Sequence, residues 1–239
     1  MNINQTLGNQ FHLRSYHLSI ASIQRPILLD IVNRKDGAST RKYKHIFLDA
    51  EGTLYVPKHG RSRWEFWANP SPEGAEDFFE LDSGVEDALR LLRRKAHTLG
   101  LVSWNSEPVL RALLRKFNLH DFFDCILING DKGKRVESYL RRNGLSKDEA
   151  IMVGDMPNLD LYPLRRAGID AILIDRDYNW YVKAEKIKGI HELPDWLRIA
   201  DLADRLEKER SRNSTLDEFM SADDHSTRPT KNLIASAGS

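Results

Sequence analysis

The sequence predicts an α/β fold, a doubly wound parallel sheet with helices on both of its faces. Short apolar runs alternate with segments of helical spacing between residues 44 and 175, and from residue 84 onward the spacing between runs suits a single helix. In sheets of this kind, ligands bind outside the carboxyl ends of the strands. The residues that directly follow the apolar runs are therefore the first candidates for a functional site.

The elements follow one another in a regular order. The predicted strands are apolar runs, and they are His45–Leu48, Leu99–Val102, Phe122–Asn129, Ala150–Val153 and Ile169–Ile174. The predicted helices lie between them, and they are Gly84–Lys95, Glu107–Phe117, Lys132–Asn143 and Asn158–Ala167. Gly144 follows the third helix, at the position where Gly commonly ends a helix.

The segments that flank this core, residues 44–200, differ from it in composition. The first 29 residues contain no Asp or Glu and carry Arg, His and several Ser, a pattern that overlaps with that of organelle transit peptides. Residues 1–43 are therefore predicted to be a leader, or else an extra N-terminal strand or arm, or the result of a start codon placed too early. Residues 201–239 are predicted to be a charged helix end followed, from Ser214, by a disordered tail.

Composition excludes several classes of function. Apolar residues make up 41% of the chain, which is enough for a core, and the net charge of +1 offers no global field for nucleic acid or for a membrane. No apolar stretch approaches the roughly 20 residues that cross a bilayer, so we predict no membrane partner and a cytoplasmic location. The single cysteine, Cys125, excludes an internal disulfide and a zinc site built from cysteines.

The first chemical motif is Lys44–Tyr55, which reads KHIFLDAEGTLY. Asp49 follows the apolar run directly, and Glu51 comes two residues later. Because alternate residues of an extended segment point the same way, both carboxylates can face one substrate. One can act as a nucleophile and the other as a proton donor. The alternative is an ordinary turn after a strand.

Two further motifs are weak when each is taken alone. In the second, Leu101–Asn105 (LVSWN), Ser103 follows an apolar run, and its hydroxyl could bind an anionic oxygen. In the third, DKGKR, Lys132 and Lys134 open a predicted helix, where a cation could neutralise an anion and keep a nearby carboxylate ionised. A serine after a strand is commonplace, and a lysine pair is commonly solvated.

The fourth motif is the strongest. Ala150–Asp160 reads AIMVGDMPNLD, in which an apolar run ends in Gly-Asp at Asp155 and a second acid follows at Asp160. Mg²⁺ prefers oxygen ligands and usually takes one or two carboxylates, with water and phosphate filling the other positions. Asp155 would face such an ion, and Asp160 would orient the loop or a water bound to the ion.

In this order the four motifs resemble those of the haloacid dehalogenase superfamily of hydrolases. That superfamily has Asp-x-Asp-Gly-Thr-Leu after one strand, Ser or Thr after another, a Lys at the start of a helix, and Gly-Asp-x-x-x-x-Asp after a further strand. The resemblance extends from about Lys44 to Asp175. It implies the superfamily's Rossmannoid fold, with Asp49 as the catalytic nucleophile that forms an aspartyl-phosphate and Glu51 as the catalytic acid.

The same resemblance implies binding roles. Ser103 and one lysine would bind the phosphoryl group. In related branches that lysine lies twelve residues before the glycine that ends its helix, so counting back from Gly144 selects Lys132 and leaves Lys134 as the second choice. The implied cofactor is Mg²⁺, and its implied ligands are Asp49, Glu51 and Asp155, with Asp160 behind them in an orienting role.

One residue departs from the superfamily pattern. Phosphatases of this group have Asp where this chain has Glu51, and other residues occur there in branches with different chemistry. Glutamate is one methylene longer, which places the carboxyl about 1 Å from its expected position, and a misplacement of that size can cost roughly a hundredfold in rate. The resemblance therefore implies the reaction class but leaves the rate open.

The sequence between the motifs leaves no room for a full cap domain. The predicted fold has a minimal flap, Val56–Leu81, which resembles the capless magnesium-dependent phosphatase branch. The basic and aromatic residues of this flap are Lys58, His59, Arg61, Arg63, Trp64, Phe66, Trp67, Phe78 and Phe79. They could hold a phosphorylated sugar or nucleotide, but we favour the interpretation that the aromatic residues attach the flap to the core.

The predicted function is that of a Mg²⁺-dependent phosphomonoester hydrolase, acting on a phosphorylated small molecule or on a phosphoprotein. The alternative is a binding or scaffold protein that keeps the fold and turns over slowly or not at all. A hydrolase of C–halogen or C–P bonds is a weaker third possibility, since dehalogenases need no metal and C–P hydrolases of this kind use a cap lysine. The physiological substrate and the oligomeric state stay open.

Overall fold

The computed structural model describes residues 42–95 and 97–223, with side chains described up to residue 212. In this part of the chain, six parallel strands form one sheet in the order β5-β4-β1-β6-β7-β8. The strands are β1 His45–Leu48, β4 Thr98–Ser103, β5 Cys125–Ile128, β6 Ala150–Gly154, β7 Asp170–Ile174 and β8 Lys186–Ile187. The predicted α/β class and parallel sheet are confirmed.

Strand β1 lies at the centre of this sheet. It pairs with β4 on one side, where Leu48 is opposite Leu101, and with β6 on the other, where Leu48 is opposite Val153. Ile46 and Leu48 belong to one core layer, while Phe47 belongs to the other. Because both faces of the sheet are covered, its strands are apolar at successive positions, as in other parallel sheets.

Helices cover both faces of the sheet. They are α3 Val85–Arg94, α4 Glu107–Lys116, α5 Lys132–Arg142, α6 Tyr162–Arg166 and α7 Leu193–Asp223. Leu89 of α3 and Leu110 of α4 join the first core layer, whereas Val136 of α5 and Leu164 of α6 join the second. None of the helices in the described residues is long and apolar enough to span a bilayer.

The flap between β1 and α3 is a small unit of its own. Strands β2 Tyr55–Pro57 and β3 Phe79–Leu81 pair antiparallel, and the short helices α1 Arg63–Trp67 and α2 Pro72–Phe78 lie between them. Phe66, Phe78 and Phe79 are buried, with ring centroids 5.0–5.6 Å apart. All three belong to the first core layer, and Trp67 packs against it, so these residues attach the flap to the core. Trp64, which we expected to share this role, is 69% exposed and does not.

Two segments differ from the sequence prediction. In place of a single helix over Asn158–Ala167, a π-helical turn, Pro157–Leu161, precedes α6. Pro163 explains the difference, since it has no N–H to donate to the carbonyl four residues earlier. Helix α7 extends to Asp223, so residues 214–223 are helical where a disordered tail was predicted; Leu, Glu and Met in this segment are good helix formers.

The terminal predictions fall largely outside the described residues. Of the predicted leader, residues 1–43, only the last two residues are described, and residues 224–239 of the predicted tail also lie outside. Strand β8 and the start of α7 were not among the predicted elements. Strand β8 has only two residues, which is too short for a periodic signal.

Candidate active site

The candidate site lies at the carboxyl ends of the three central strands. Asp49 follows β1, Asp155 follows β6, and Ser103 is the last residue of β4. The backbone N–H of Asp49 donates to the carbonyl of Val153 at 2.9 Å, which holds the end of β1 against β6. The topology thus brings together the three acids Asp49, Asp155 and Asp160. One carboxylate oxygen of each lies within 4.8 Å of one oxygen of each of the others.

Lys132 lies at the centre of this acidic cluster. Its ammonium nitrogen donates to Asp49 Oδ1 and to Asp160 Oδ1, each at 2.6 Å, and its side chain is 3% exposed. Burial alone would lower the pKa of Lys132, but the two carboxylates outweigh it and raise that pKa above its ordinary value. Lys134, the second choice from the sequence, is exposed instead.

A close approach of two helices helps to bring Lys132 to this place. Gly133 follows it, and a Cβ atom at that position would lie 2.3 Å from the carbonyl oxygen of Pro163 in α6. Only glycine therefore permits the start of α5 to lie so near α6. The side chain of Asp131 caps α5 by accepting from the backbone N–H of Lys134 at 2.9 Å.

Asp160 holds the acidic loop in shape. Its Oδ2 accepts from the backbone N–H groups of Asp155 at 3.1 Å and Met156 at 2.8 Å, while Oδ1 accepts from Lys132. A Cβ at Gly154 would lie 2.3 Å from the Asp160 carboxyl carbon, which explains the glycine before Asp155. Since both of its oxygens are in use, Asp160 has the geometry of the orienting residue that the sequence predicted.

The two carboxylate oxygens of Asp155 differ. Oδ2 accepts from Arg63 Nη2 at 2.7 Å and from the Tyr178 hydroxyl. Oδ1 is buried and has no hydrogen-bond partner among the described residues. A buried carboxylate oxygen without a partner is costly unless something binds it. This oxygen, together with the clustered acids, fits a small cation with oxygen ligands such as Mg²⁺.

The pKa of Asp49 reflects this crowding. Burial raises the pKa of its carboxyl well above the ordinary value, Lys132 lowers it in part, and the charges of Asp160 and Asp155 raise it again. A divalent cation among these groups would favour their ionised forms. The residues present therefore suit a metal ion electrostatically as well as by ligand type.

Glu51 faces the flap rather than the acidic cluster. Trp67 Nε1 lies 3.3 Å from Glu51 Oε1 and 3.1 Å from Oε2, and Arg63 Nε lies 3.5 Å from Oε1. Burial raises the pKa of Glu51, whereas Arg63 and the Trp67 hydrogen bond lower it. Burial has the larger effect, and the pKa is about 7. A carboxyl with such a pKa suits proton transfer near neutral pH. The predicted place of Glu51 among the Mg²⁺ ligands stays a prediction.

Hydroxyl groups complete the site. The backbone N–H of Asn105 donates to Ser103 Oγ at 3.1 Å, which leaves the O–H of this buried serine free to donate to a ligand. Thr53 Oγ1 in the first motif is also buried, without a hydrogen-bond partner among the described residues.

Sequence reasoning missed two residues of the site, Arg63 and Tyr178. Arg63 was noted only as one basic residue of the flap. Tyr178 follows β7, so the rule that directs attention to the carboxyl ends of strands could have included it. Both reach Asp155 from segments distant in sequence, and no local spacing indicates such a contact.

The sequence profile of the haloacid dehalogenase-like hydrolase family matches residues 44–174, more than half of the chain. No curated protein matches.

Among solved structures, similar ones include a HAD phosphatase from Thermococcus onnurineus, with 20% identity, a TM-score of 0.53 and coverage of 64% of this chain and 97% of that one. A HAD-superfamily hydrolase from Ehrlichia chaffeensis has 19% identity, a TM-score of 0.52 and coverage of 66% and 98%. CbbY from Rhodobacter sphaeroides in complex with phosphate has 18% identity, a TM-score of 0.50 and coverage of 63% and 96%. At these identities the likeness shows a shared fold.

Proposed function

The chain belongs to the haloacid dehalogenase-like hydrolase family, and on this premise we propose that it is a Mg²⁺-dependent phosphomonoester hydrolase that acts through an aspartyl-phosphate on Asp49. The observation that carries the proposal is the pairing of Asp49 with Lys132, 2.6 Å apart, beside an Asp155 carboxylate with one unbound oxygen. We further propose a cytoplasmic location and, as substrate, a phosphorylated small molecule or a phosphoprotein.

In the first half of the reaction, Asp49 attacks phosphorus. Lys132 binds Asp49 Oδ1, which leaves Oδ2 as the attacking oxygen and favours the ionised form of the carboxylate. The O–H of Ser103 and the Lys132 ammonium hold phosphoryl oxygens. As the bond from phosphorus to the leaving oxygen breaks, the protonated Glu51 carboxyl gives its proton to that oxygen.

In the second half, water releases the phosphate. Glu51, now ionised, takes a proton from a water molecule that attacks phosphorus, and the bond between phosphorus and Asp49 breaks. Inorganic phosphate leaves, and both carboxyl groups return to their starting states. A pKa of about 7 lets Glu51 act in both directions near neutral pH.

Asp49 and Asp155 are the residues that would hold Mg²⁺, since the oxygens of Asp160 are already bound within the protein. When bound, the ion would supply positive charge that offsets the repulsion between the phosphate and the carboxylates. Asp160 would keep the acidic loop in place around it.

The main alternative is a scaffold protein that has kept the fold and lost turnover. Glu51, in place of the usual Asp, favours this alternative. A metal-independent dehalogenase is the weaker candidate, because the buried acidic cluster and the unbound oxygen of Asp155 would then have no cation to bind.

The test is hydrolysis of p-nitrophenyl phosphate and a panel of natural phosphate esters by the purified chain. We expect turnover with Mg²⁺ and none in excess chelator. Asp49→Asn has nearly the same shape but cannot attack phosphorus, so it should lower the rate by more than about a thousandfold and leave the melting temperature close to that of the wild type.

Two lysine variants make a matched pair for the same assay. Lys132→Met should lose activity, whereas Lys134→Met, two residues further along α5, should keep it. A wild type that hydrolyses none of the esters with Mg²⁺ would favour the scaffold alternative instead.

A further inference from the structure

Helix α1 of the flap presents two side chains to the site. Arg63 and Trp67 are four residues apart, so they lie on the same face of the helix. Arg63 contacts Asp155, and the Trp67 indole N–H points at the Glu51 carboxylate, 3.1 Å from Oε2 and 3.3 Å from Oε1. One short helix therefore contacts two of the acids that the proposed reaction uses.

The contact with Glu51 bears on the residue that departs from the family pattern. A glutamate side chain has one more rotatable bond than aspartate, so its carboxyl has more positions available. For proton transfer to be efficient, the carboxyl must stay within hydrogen-bond reach of the leaving oxygen. A fixed donor at the far end of the side chain restricts those positions.

Trp67 is held firmly enough to act as such a donor. Its ring packs edge-to-face on Phe66, with centroids 5.0 Å apart, and Phe66 is buried at 4% exposure among the flap aromatics. Ser62 caps the start of α1 with its side chain, and Glu65 completes the capping box. The indole N–H therefore has a defined position relative to β1.

We propose that Trp67 is a positioning residue for Glu51: its indole N–H holds the longer carboxyl in one place, within reach of the leaving oxygen. This inference rests on the proposed function. The proton passes from Glu51 to the leaving oxygen as the P–O bond breaks, and it returns to Glu51 from the attacking water. The Trp67 N–H stays in place throughout and is not consumed.

The substitution Trp67→Phe distinguishes a positioning role of Trp67 from a purely structural one. Trp67→Phe keeps an aromatic ring against Phe66 but loses the N–H. If Trp67 only attaches the flap, Phe should largely replace it. If Trp67 positions Glu51, the loss should appear in proton transfer to the leaving group.

The experiment is a double-mutant cycle of Trp67→Phe and Glu51→Asp, assayed with two esters. Trp67→Phe should lower kcat about tenfold or more for an alkyl phosphate, which needs its leaving oxygen protonated, and little for p-nitrophenyl phosphate, which does not. KM should change little for either ester. In the Glu51→Asp background, Trp67→Phe should have almost no effect, because the shorter carboxyl does not reach the indole N–H. Trp64→Phe, on the same helix at an exposed position, is the matched control.

Three results would overturn the inference. They are an equal loss for both esters, a change confined to KM, and independent effects of the two substitutions on kcat. Each of these would leave the proposed phosphatase function intact.

A second measurement does not depend on turnover. The indole ¹H–¹⁵N resonance of Trp67, assigned with Trp67→Phe, should move upfield and exchange faster with solvent in Glu51→Ala. An unchanged resonance would refute the contact. A chain inert toward every ester would refute the proposed function, and with it the catalytic part of the inference, while the resonance still decides the contact.

Discussion

Asp155 shows how a single residue can be prepared for a ligand by its neighbours. Arg63 and Tyr178 both donate to Oδ2, so the carboxylate cannot rotate freely and Oδ1 keeps one direction. Burial and the charge of Asp155 raise the pKa of Tyr178, so its hydroxyl keeps its proton and remains a donor. Partners that orient a metal-binding side chain are commonly worth about 10–100-fold in metal affinity.

We therefore predict that Tyr178→Phe weakens Mg²⁺ binding about tenfold, measured by isothermal titration calorimetry. The substitution removes one hydroxyl and leaves the charge of the site unchanged. Tyr181→Phe is the control, because that tyrosine is 61% exposed and lies in the same loop. Equal affinity in the Tyr178 variant and the wild type would contradict this account of Asp155.

At the scale of elements, the flap helix α1 depends on its packing. A helix of five residues is far too short to be stable alone. Phe66 is its buried residue and contacts both Phe78 and Phe79. The positions of Arg63 and Trp67 at the site therefore depend on one buried aromatic side chain.

This dependence predicts the behaviour of Phe66→Ala. Removing a buried phenyl ring typically costs about 3–5 kcal/mol, and here the loss falls on the flap. We expect a lower melting temperature and faster tryptic cleavage at Arg61 and Arg63. Trp64→Ala, 69% exposed on the same helix, should change neither. Wild-type cleavage rates in Phe66→Ala would mean that other contacts hold the helix.

Some of these elements and contacts could be predicted from the sequence, and others could not. The strands that carry Asp49, Ser103 and Asp155 could be predicted because strands buried on both faces are apolar at successive positions. The prediction of a regular helix over Asn158–Ala167 was wrong in its first part. Apolar spacing suggested that helix, but Pro163 removes one of its backbone hydrogen bonds, and a π-helical turn precedes α6 instead. The contact of Arg63 with Asp155 spans 92 residues and is set by tertiary packing, so no local pattern encodes it.

At the scale of the whole molecule, the fold concentrates buried acidic side chains at the carboxyl ends of the central strands. Four carboxyl groups lie close to two basic side chains there. The acids are Asp49, Glu51, Asp155 and Asp160, and the basic residues are Lys132 and Arg63. Burial raises the pKa of Asp49, of Glu51 and of Asp160. Global stability should therefore depend on pH and on metal together.

The sign of that dependence follows from proton binding. The pKa of Glu51 rises from its ordinary 4.5 to about 7, so across this window the folded protein holds a proton that the unfolded chain has lost. The free energy of unfolding of the metal-free protein must then fall as pH rises, by up to about 1.4 kcal/mol per pH unit for each such proton. The raised pKa of Asp49 acts in the same direction.

Mg²⁺ should counteract this loss, because it binds the ionised carboxylates of the folded state. At a free concentration 100 times its dissociation constant at pH 8, a ligand of the folded state adds about 2.7 kcal/mol to the free energy of unfolding. Protons compete for the same carboxylates at lower pH. The gap between the stability curves with Mg²⁺ and with chelator should thus be small at pH 5 and about 2–3 kcal/mol at pH 8.

Urea unfolding at pH 5, 6, 7 and 8, with Mg²⁺ or with chelator, measures this gap directly. Groups far from the site titrate equally in both conditions, so the difference between the two curves isolates the acidic cluster. Asp155→Asn should abolish the difference, since it removes a charge. Arg63 and Tyr178 need an acceptor, so the amide oxygen takes the position that they contact, and an NH₂ group that cannot bind a cation replaces the unbound oxygen. A gap that stays constant from pH 5 to pH 8, or a gap that survives in Asp155→Asn, would show that Mg²⁺ stabilises the protein at some other place.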